Sequence, residues 1–352
     1  METEDNNNVK SLLKYNTFGI DCGCREIFEP DTVEEAIEIL ARVKSEPYMI
    51  LGGGSNLLLT QNYDGNVLHS KIKGIERLDS SNVENSDASY IYIRCGSGEV
   101  WDDVVAYATE HSYYGMENLS IIPGEVGASA VQNIGAYGVE AKDLIYSIEA
   151  IEIETGKEVI INPADCHYSY RYSKFKDEWK NKFFITHVTY RLNKDFKPCL
   201  GYGNLKGVLA SKLNVAEDGL EGIVTATMVR EAIIEIRNAK LPDPKVEGNA
   251  GSFFMNPIVD RAKYESLQKE YPNMPHYDVD DNRVKIPAGW MIDQCGWKGK
   301  TMGRAGVHKN QALVLVNKGG ATGKEIVDLC NAIRIDVFNR FGIMINPEVN
   351  II

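Results

Sequence analysis

Three side chains in this sequence have neighbours that suit chemistry. Arg171 lies among Tyr168, Tyr170 and Tyr172, and a guanidinium flanked by rings can clamp a carboxylate. Ser252 sits in Asn249-Ala-Gly-Ser-Phe-Phe254, where small neighbours leave its hydroxyl accessible and the phenylalanines are expected to keep water away. Glu348 follows Pro347 in an apolar tail, where an acid is either buried with a partner or exposed at a turn. Each residue also has a plainer explanation: a surface cation–π contact on a strand, a turn or N-cap serine, and a solvated turn acid. Residue type alone leaves both sets of readings open.

Two glycine stretches bear on what such residues would act beside. Ile121 to Gly138 spans eighteen residues with four glycines (Gly124, Gly127, Gly135, Gly138), small Ala128, Ser129, Ala130 and Ala136, and a single charge, Glu125. A long loop without bulk, keeping Ser129, Gln132 and Asn133 as hydrogen-bonding groups, suits a flat, polar-edged, anionic cofactor or else a buried packing turn. The second stretch leaves the predicted strand Tyr48–Leu51 as Gly52-Gly-Gly-Ser-Asn56 and can aim backbone N–H groups at a pyrophosphate. Neither is a Rossmann fingerprint, because no G-x-G-x-x-G opens a helix. Lys318-Gly-Gly-Ala-Thr-Gly-Lys324 lacks the spacing and the hydroxyl of a P-loop and reads as a helix start. Two such stretches point to a dinucleotide fold of another kind.

The elements that must position these residues change character along the chain. Residues 1–10 read as a frayed tail, and Asn16-Thr-Phe-Gly-Ile20 as a short segment able to lie against the first domain. Thr32 with Glu35 predicts a capping box, followed by a helix with Val33, Ile37, Leu40 and Ala41 as its apolar face. Val67–Ser70 and Tyr90–Cys95 read as strands, with a surface turn at Asp79–Ser89 between them. A helix from Glu99 to about Glu110 turns Trp101, Val104, Val105 and Ala108 inward. Ser147–Glu154 and Glu158–Ile161 flank Thr155-Gly156 as a hairpin, and Phe183–Leu192 is an alternating strand. Ala226–Ala239 is a helix with Met228, Val229, Ile233 and Ile236 as its stripe, stopped by Leu241-Pro-Asp-Pro244, where a domain boundary is placed. Beyond it come a helix at Val259–Glu270, a strand at Ala312–Val316 and a long helix at Lys324–Phe341. That last helix has a capping box at Thr322 and Glu325, a core face of Ile326, Cys330, Ile333 and Val337, and Gly342 as terminator.

Bulk properties narrow the function classes. The chain has 352 residues, enough for two or three domains, and its 43% hydrophobic and 25% charged shares are those of a soluble globular protein. A net charge of −12 argues against nucleic-acid partners. Seven scattered cysteines with no C-x-x-C pair suggest reduced thiols and no metal site. No signal-peptide core and no membrane span is expected, so a cytoplasmic protein without a membrane partner is expected. From Arg283 to Gln311 six cationic residues stand against Asp293 alone, which fits either an anion-binding face or a solvated loop balanced by acids elsewhere.

Taken together, the motifs resemble the UDP-N-acetylenolpyruvoylglucosamine reductase family, flavoenzymes of peptidoglycan precursor synthesis. The matching pieces are Asn16-Thr-Phe-Gly-Ile20, Leu51-Gly-Gly-Gly-Ser-Asn56, Ile122-Pro-Gly124 through Gln132-Asn-Ile-Gly-Ala-Tyr-Gly138, and Tyr170-Arg-Tyr-Ser173. They continue with Tyr202-Gly-Asn-Leu205, Lys240-Leu-Pro-Asp-Pro-Lys245, Gly248-Asn-Ala-Gly-Ser-Phe-Phe254, Ala288-Gly-Trp-Met-Ile-Asp293, Val307-His308 and Pro347-Glu-Val349. They run in family order over nearly the whole chain, and the Tyr202 segment resembles the longer subtype with an extra substrate-covering loop.

The resemblance implies an α+β protein with the FAD-binding fold of the vanillyl-alcohol-oxidase type and a C-terminal α+β substrate-binding domain. On that basis 11–240 is the FAD-binding region, divided into an αβ part of about 11–70 and a mixed-sheet part of about 71–240. Residues 241–342 bind substrate, and 343–352 form a tail returning to the first domain. FAD is expected at Gly52, Gly53, Gly54, Ser55, Asn56, Ile122, Pro123, Gly124, Gly127, Ala128, Ser129, Gln132, Asn133 and Gly138. It is expected to be non-covalent, since neither glycine stretch holds a histidine. NADPH would supply the reducing equivalents to a UDP-sugar substrate held by Tyr170, Tyr202, Lys240, Asn256 and Gln311. Arg171 and a protonated Glu348 would stabilise the enolate of the substrate's carboxylate, and Ser252 would donate the proton that quenches it. A monomer is expected. Glu125 departs from the family by adding a negative charge near the cofactor diphosphate, which an outward orientation would accommodate. Ala128 and Ala130 change the stretch slightly in bulk. A flavin-dependent sugar or alcohol oxidase of the same fold, or a non-catalytic UDP-sugar or flavin-binding module, would share the glycine stretches. Rapid reoxidation by oxygen would mark the first, and absence of turnover the second.

Overall fold

The structure is a computed structural model that describes residues 9–79, 81 and 83–352. The expected frayed start up to residue 8, and residues 80 and 82 of the expected surface turn, lie outside the described residues. Lys10, expected in the frayed tail, is instead paired in a short ladder with Cys24. The described residues form two compact units, one of Arg25–Gly53 with Asp64–Ala239, the other of 9–24 with Gly54–Tyr63 and Lys240–Ile352.

The first unit opens with a parallel sheet of Ile27–Phe28, Asn66–His69 and Tyr48–Leu51, with Asn66–His69 in the centre. Parallel strands need a crossover, and helix α1 (Val33–Val43) supplies one. Thr32 caps it by accepting the Glu35 N–H at 3.1 Å. The Glu35 carboxylate takes the N–H of Asp31 at 2.8 Å, so the expected capping box is closed one residue early. The buried face is Ala36, Ile39, Leu40 and Val43, while Val33 and Ile37 are half-buried and Ala41 is exposed. Ile37 and Ile39 point about 200° apart on a helix, so periodicity admits either one inside. Packing against Leu68, Ile151 and Phe184 selects Ile39.

A five-stranded antiparallel sheet follows, in the order Lys157–Ile161, Ile145–Glu152, Phe183–Asn193, Tyr90–Gly96 and Ile75–Leu78. Its hairpin turns at Gly156, whose φ of +71° favours glycine. The expected alternation of Phe183–Leu192 does not occur, because Phe184 through Tyr190 are all buried. Phe184 joins the core of α1, and Ile185, Val188 and Tyr190 join that of α2 (Trp101–Glu110), so both faces of this central strand are covered. Helix α2 buries the four residues expected of it, and its Trp101 indole donates to the Leu119 carbonyl at 2.9 Å.

The stretch Ile121–Gly138 is not a continuous loop, since it contains helix α3 (Val126–Gln132). Its alanines favour a helix, and the low bulk lets that helix settle on the sheet. A Cβ on Gly127 would stand 3.0 Å from the Cβ of Ser97. The turn glycines flank it, with Gly124 at φ +125° and Gly138 at φ +86°. Helices α4 (Leu205–Leu213) and α5 (Ala226–Lys240) share a core of Leu205, Leu209, Leu220, Val224, Val229 and Ile233. Met228 and Ile236, expected on the α5 stripe, pack at the edge of that core.

The second unit holds two three-stranded antiparallel sheets: Ile258–Asp260, Arg283–Lys285 and Tyr277–Asp278, and Thr301–Met302, Ala305–Val307 and Leu315–Asn317. Its helices are α6 (Arg261–Gln268), α7 (Ala288–Gln294) and α8 (Gly323–Phe341). The first residues of the helix expected at Val259–Glu270 belong to a strand instead, and the strand expected at Ala312–Val316 starts at Leu315. Asn350–Ile351 pairs in parallel with Leu57–Leu58. In α8 both halves of the capping box are formed, the four expected core residues are buried, and Gly342 ends the helix at φ +61°. Three of the six cations of the segment face acids: Arg283 bonds Asp280 at 2.6 Å, Lys298 faces Asp293 at 3.7 Å, and Arg304 bonds Glu325 at 2.9 Å. Among the described residues no helix is long and apolar enough to cross a membrane.

The Glu325 pair makes one prediction. Arg304 and the Thr322 N–H hold its carboxyl down to about 2, against an ordinary value of 4.5. A depressed carboxyl contributes stability that is complete above its unfolded value and lost as pH falls through the folded one. Glu325→Gln should therefore lose stability at neutral pH and show a flatter acid limb between about pH 4.5 and about 2. Urea unfolding at a series of pH values checks it, and parallel curves for both proteins would refute the assignment.

Candidate active site

In the first unit, Arg171 lies in a tight turn closed by mutual bonds between Ser169 and Tyr172, not on a strand. Its φ of +57° is unusual for a side-chain-bearing residue. Its guanidinium lies 5.4 Å over the Tyr170 ring and donates from Nη2 to the Gly135 carbonyl at 2.9 Å. A Cβ on Gly135 would stand 3.3 Å from Nη1, so that glycine makes room for the arginine. The turn is tied to the glycine stretch by Asn133, whose Nδ2 reaches Ser169 O at 2.9 Å and Glu140 at 3.0 Å. Asn133 is fully buried and its Oδ1 accepts the Lys142 N–H, so its amide is committed within the fold. Ser129, 1% exposed, is committed likewise, to Val126 O and the Tyr190 hydroxyl.

The same unit brings Gly52 and Gly53 against the glycine stretch. A Cβ on Gly52 would meet Ala128 at 3.0 Å, and one on Gly53 would meet the Cα of Gly124 at 3.2 Å. This bare backbone fits a dinucleotide pyrophosphate, which needs N–H donors and close approach. Glu125 does not point outward: its side chain is 13% exposed, and its Oε1 lies 2.9 Å from His69 Nε2. Tyr202 lies with its ring 6.5 Å from that of Tyr137, beside Gly138.

Sequence reasoning does not single out three residues beside this stretch. Asp102 binds both guanidinium nitrogens of Arg230 at 2.7 and 2.9 Å and accepts the Ile121 N–H at 2.6 Å. Burial opposes ionisation of Asp102, yet Arg230 and that N–H hold its carboxyl below the usual range. The clamp sits on Ile121, a β-branched residue at φ +49°, a conformation that needs external support. Among the described residues, Arg237 hydrogen-bonds only the Ile121 carbonyl, at 3.4 Å, and its buried Nε has no hydrogen-bond partner. Burial pulls its guanidinium below the ordinary range. The available signal is that Arg237 falls four residues after Ile233 on the apolar stripe of α5.

In the second unit, Asn16-Thr-Phe-Gly-Ile20 holds the remaining pieces. The Thr17 N–H donates to Gly54 O at 3.1 Å and its hydroxyl to Asn249 O at 2.6 Å. Gly54 has φ +63°, and a Cβ there would collide with Tyr15 O at 1.9 Å. Ser252 follows Gly251, itself at φ +67°. The phenylalanines do not shield it: Phe253 and Phe254 turn into the core at 0% and 1% exposure and leave Ser252 exposed. Glu348 is half-buried, and its N–H donates to Phe253 O at 2.8 Å, so acid and serine share one patch of backbone. Asn56 Nδ2 adds a bond to Glu348 O at 3.3 Å. Asn256 accepts the Ala288 N–H at 2.9 Å, and Gln311 accepts that of Leu313 at 3.3 Å. Lys240 is exposed at the end of α5.

Comparison with known proteins identifies the family. Residues 25–162 match the model of an FAD binding domain, and residues 243–352 match that of the UDP-N-acetylenolpyruvoylglucosamine reductase C-terminal domain. The UDP-N-acetylenolpyruvoylglucosamine reductase of Bacteroides fragilis strain YCH46 is 53% identical over 344 residues, covering 97% of this chain and 98% of its own. That of Flavobacterium johnsoniae is 46% identical, with the same coverage of 97% and 98%. The crystal structure of the Thermus caldophilus enzyme shares the fold at a TM-score of 0.65 and 20% identity, covering 98% of both chains. With such relatives over nearly its whole length, the chain belongs to the UDP-N-acetylenolpyruvoylglucosamine reductase family.

Proposed function

We infer that Arg171, Ser252 and Glu348 are the catalytic residues of the family's reaction in this chain. The protein is an NADPH-dependent flavoenzyme with UDP-N-acetylmuramate dehydrogenase activity. It reduces the enolpyruvyl ether of UDP-N-acetylglucosamine to the lactyl ether in peptidoglycan precursor synthesis. FAD, when bound, relays the reducing equivalents of NADPH to the enolpyruvyl double bond. The bare backbone at Gly52, Gly53 and Gly124 would hold its pyrophosphate, and Gly54, Ser55 and Asn56 are also assigned to the cofactor. Ser129 and Asn133 serve it through the fold, fixing α3 and the Arg171 turn.

As the double bond is reduced, charge develops on the substrate beside its carboxylate. Arg171, oriented by Gly135 O and Tyr170, supplies the fixed cation for that charge, and Glu348 is assigned to the same carboxylate. Ser252 gives its proton to the enolate carbon and is reprotonated from water, to which it is open. Arg237, with its bare Nε, adds a buried cation for an anionic part of the ligands. Lys240, Tyr170, Tyr202, Asn256 and Gln311 are assigned to the UDP-sugar. The bond from Glu348 to Phe253 carries this reading, because it seats an acid and a hydroxyl donor on neighbouring backbone.

We assign the chain to the longer subtype of the family. The support is the separate α4–α5 core and the Tyr202 segment lying on Tyr137. A monomer suffices, since every assigned residue comes from one chain, and the substrates, a nucleotide sugar and NADPH, belong to the cytoplasm. The expected result is a yellow protein whose flavin is released completely by acid. It should consume NADPH beyond one equivalent per flavin only when the enolpyruvyl substrate is present, and yield a product two hydrogens heavier. Flavin left on the precipitated chain would refute non-covalent binding. Rapid oxidation by oxygen without substrate would indicate an oxidase, and absence of turnover a binding module.

A further inference from the structure

We propose that Glu125 binds a sugar hydroxyl of the cofactor and that His69, backed by Glu29, positions it for that contact. The inference rests on the flavin reading above. His69 closes its strand opposite Leu51, the residue before Gly52, so its ring emerges beside the glycine exit. The ring is 7% exposed, with Nδ1 3.1 Å from Glu29 Oε1 and Nε2 2.9 Å from Glu125 Oε1. Lys71 lies 3.2 Å from the same Glu29 oxygen. One imidazole thus orients two carboxylates, and the chain Lys71–Glu29–His69–Glu125 fixes one oxygen of Glu125.

The other oxygen faces the bare backbone. Glu125 Oε2 lies 3.6 Å from where a Cβ of Gly52 would stand, and its Cγ 3.8 Å from that of Gly53. No hydrogen bond reaches Oε2 among the described residues, although the side chain is only 13% exposed. A carboxylate oxygen accepts and cannot donate, and it repels a phosphate. An oriented acceptor with an open approach beside a dinucleotide cradle therefore suits an O–H donor, as an acid does at the ribose of other dinucleotide folds. A flavin dinucleotide offers such hydroxyls on its ribityl chain and on its adenosine ribose. The glycines at 52 and 53 keep the approach to Oε2 clear, and the His69 bond keeps Glu125 from swinging into the pyrophosphate.

The test is the binding of FAD, FMN and riboflavin to apoprotein by flavin fluorescence, for native protein, Glu125→Gln, Glu125→Ala, His69→Gln and the double variant. Glu125→Ala should weaken FAD by about ten- to a hundredfold, the worth of a hydrogen bond to a charged group, and Glu125→Gln by less. The apoprotein melting temperatures of the Glu125 variants should match native. Loss with FAD alone identifies the ribose, and equal loss with all three flavins identifies the ribityl chain. His69→Gln should weaken FAD in the native background and add nothing to Glu125→Ala, as expected of a residue that acts only through Glu125. FAD binding in Glu125→Ala equal to or tighter than native would overturn the proposal, since it would make the acid neutral or repulsive. Native protein that binds no FAD would instead overturn the flavin reading itself.

Discussion

Arg171→Ala is expected to slow the oxidation of reduced flavin by the enolpyruvyl substrate more than about a hundredfold, with reduction by NADPH left near native. A charge-assisted donor aimed where negative charge develops is worth about 3 kcal/mol or more in the barrier. The structure explains why this arginine can act that way. Its backbone is held at φ +57° and its guanidinium is aimed by Gly135 O at 2.9 Å, so little reorganisation remains when the charge appears. Arg171→Lys should recover only part of the loss, because an ammonium keeps the charge without the planar fork. Equal slowing of both half-reactions would make Arg171 a structural residue of its turn.

Residues whose role depends on local pattern are legible in the amino-acid sequence itself. The α8 capping box, its core face and its glycine stop need only nearest neighbours along one helix. The four inward residues of α2 and the hairpin at Gly156 are equally local. What the sequence hides depends on partners distant along the chain. The face of α1 is set by Leu68, Ile151 and Phe184, not by period alone. The low bulk of Ile121–Gly138 suggests a loop, but three of its residues pack as a helix against the sheet: Val126, Ser129 and Ala130 are all buried.

The candidate site divides along the same line. Arg171 and Glu348 stand out by residue type, and their partners Gly135 and Phe253 do not. The two phenylalanines after Ser252 suggest a dry hydroxyl, yet they face the core and the serine is exposed. Glu125 reads as a charge to be turned away from the fold. Its partner His69 is 56 residues distant in the chain, and nothing in the local sequence announces that pairing. Asp102 and Arg230, 128 residues apart, are hidden for the same reason.

The second large effect is expected at Ser252. Its exposure fits a proton donor, because a serine that gives up its proton must recover one from water. Ser252→Ala should fold as native does, since Ser252 is exposed and the neighbouring Phe253 and Phe254 stay buried. It should bind FAD and be reduced by NADPH at nearly the native rate. Oxidation by substrate should then fall by about two to four orders of magnitude, the range a positioned general acid supplies. Ser252→Cys should restore part of the rate, as a thiol is the stronger acid on a larger, differently placed atom.

Anaerobic stopped-flow absorbance of the flavin in Ser252→Ala beside native protein tests the central claim most directly, with NADPH added first and the enolpyruvyl substrate second. The predicted record is unchanged bleaching with NADPH, followed by a return of colour slowed by about a hundredfold or more. A return of colour within about tenfold of native would contradict the assignment of Ser252 as the proton donor.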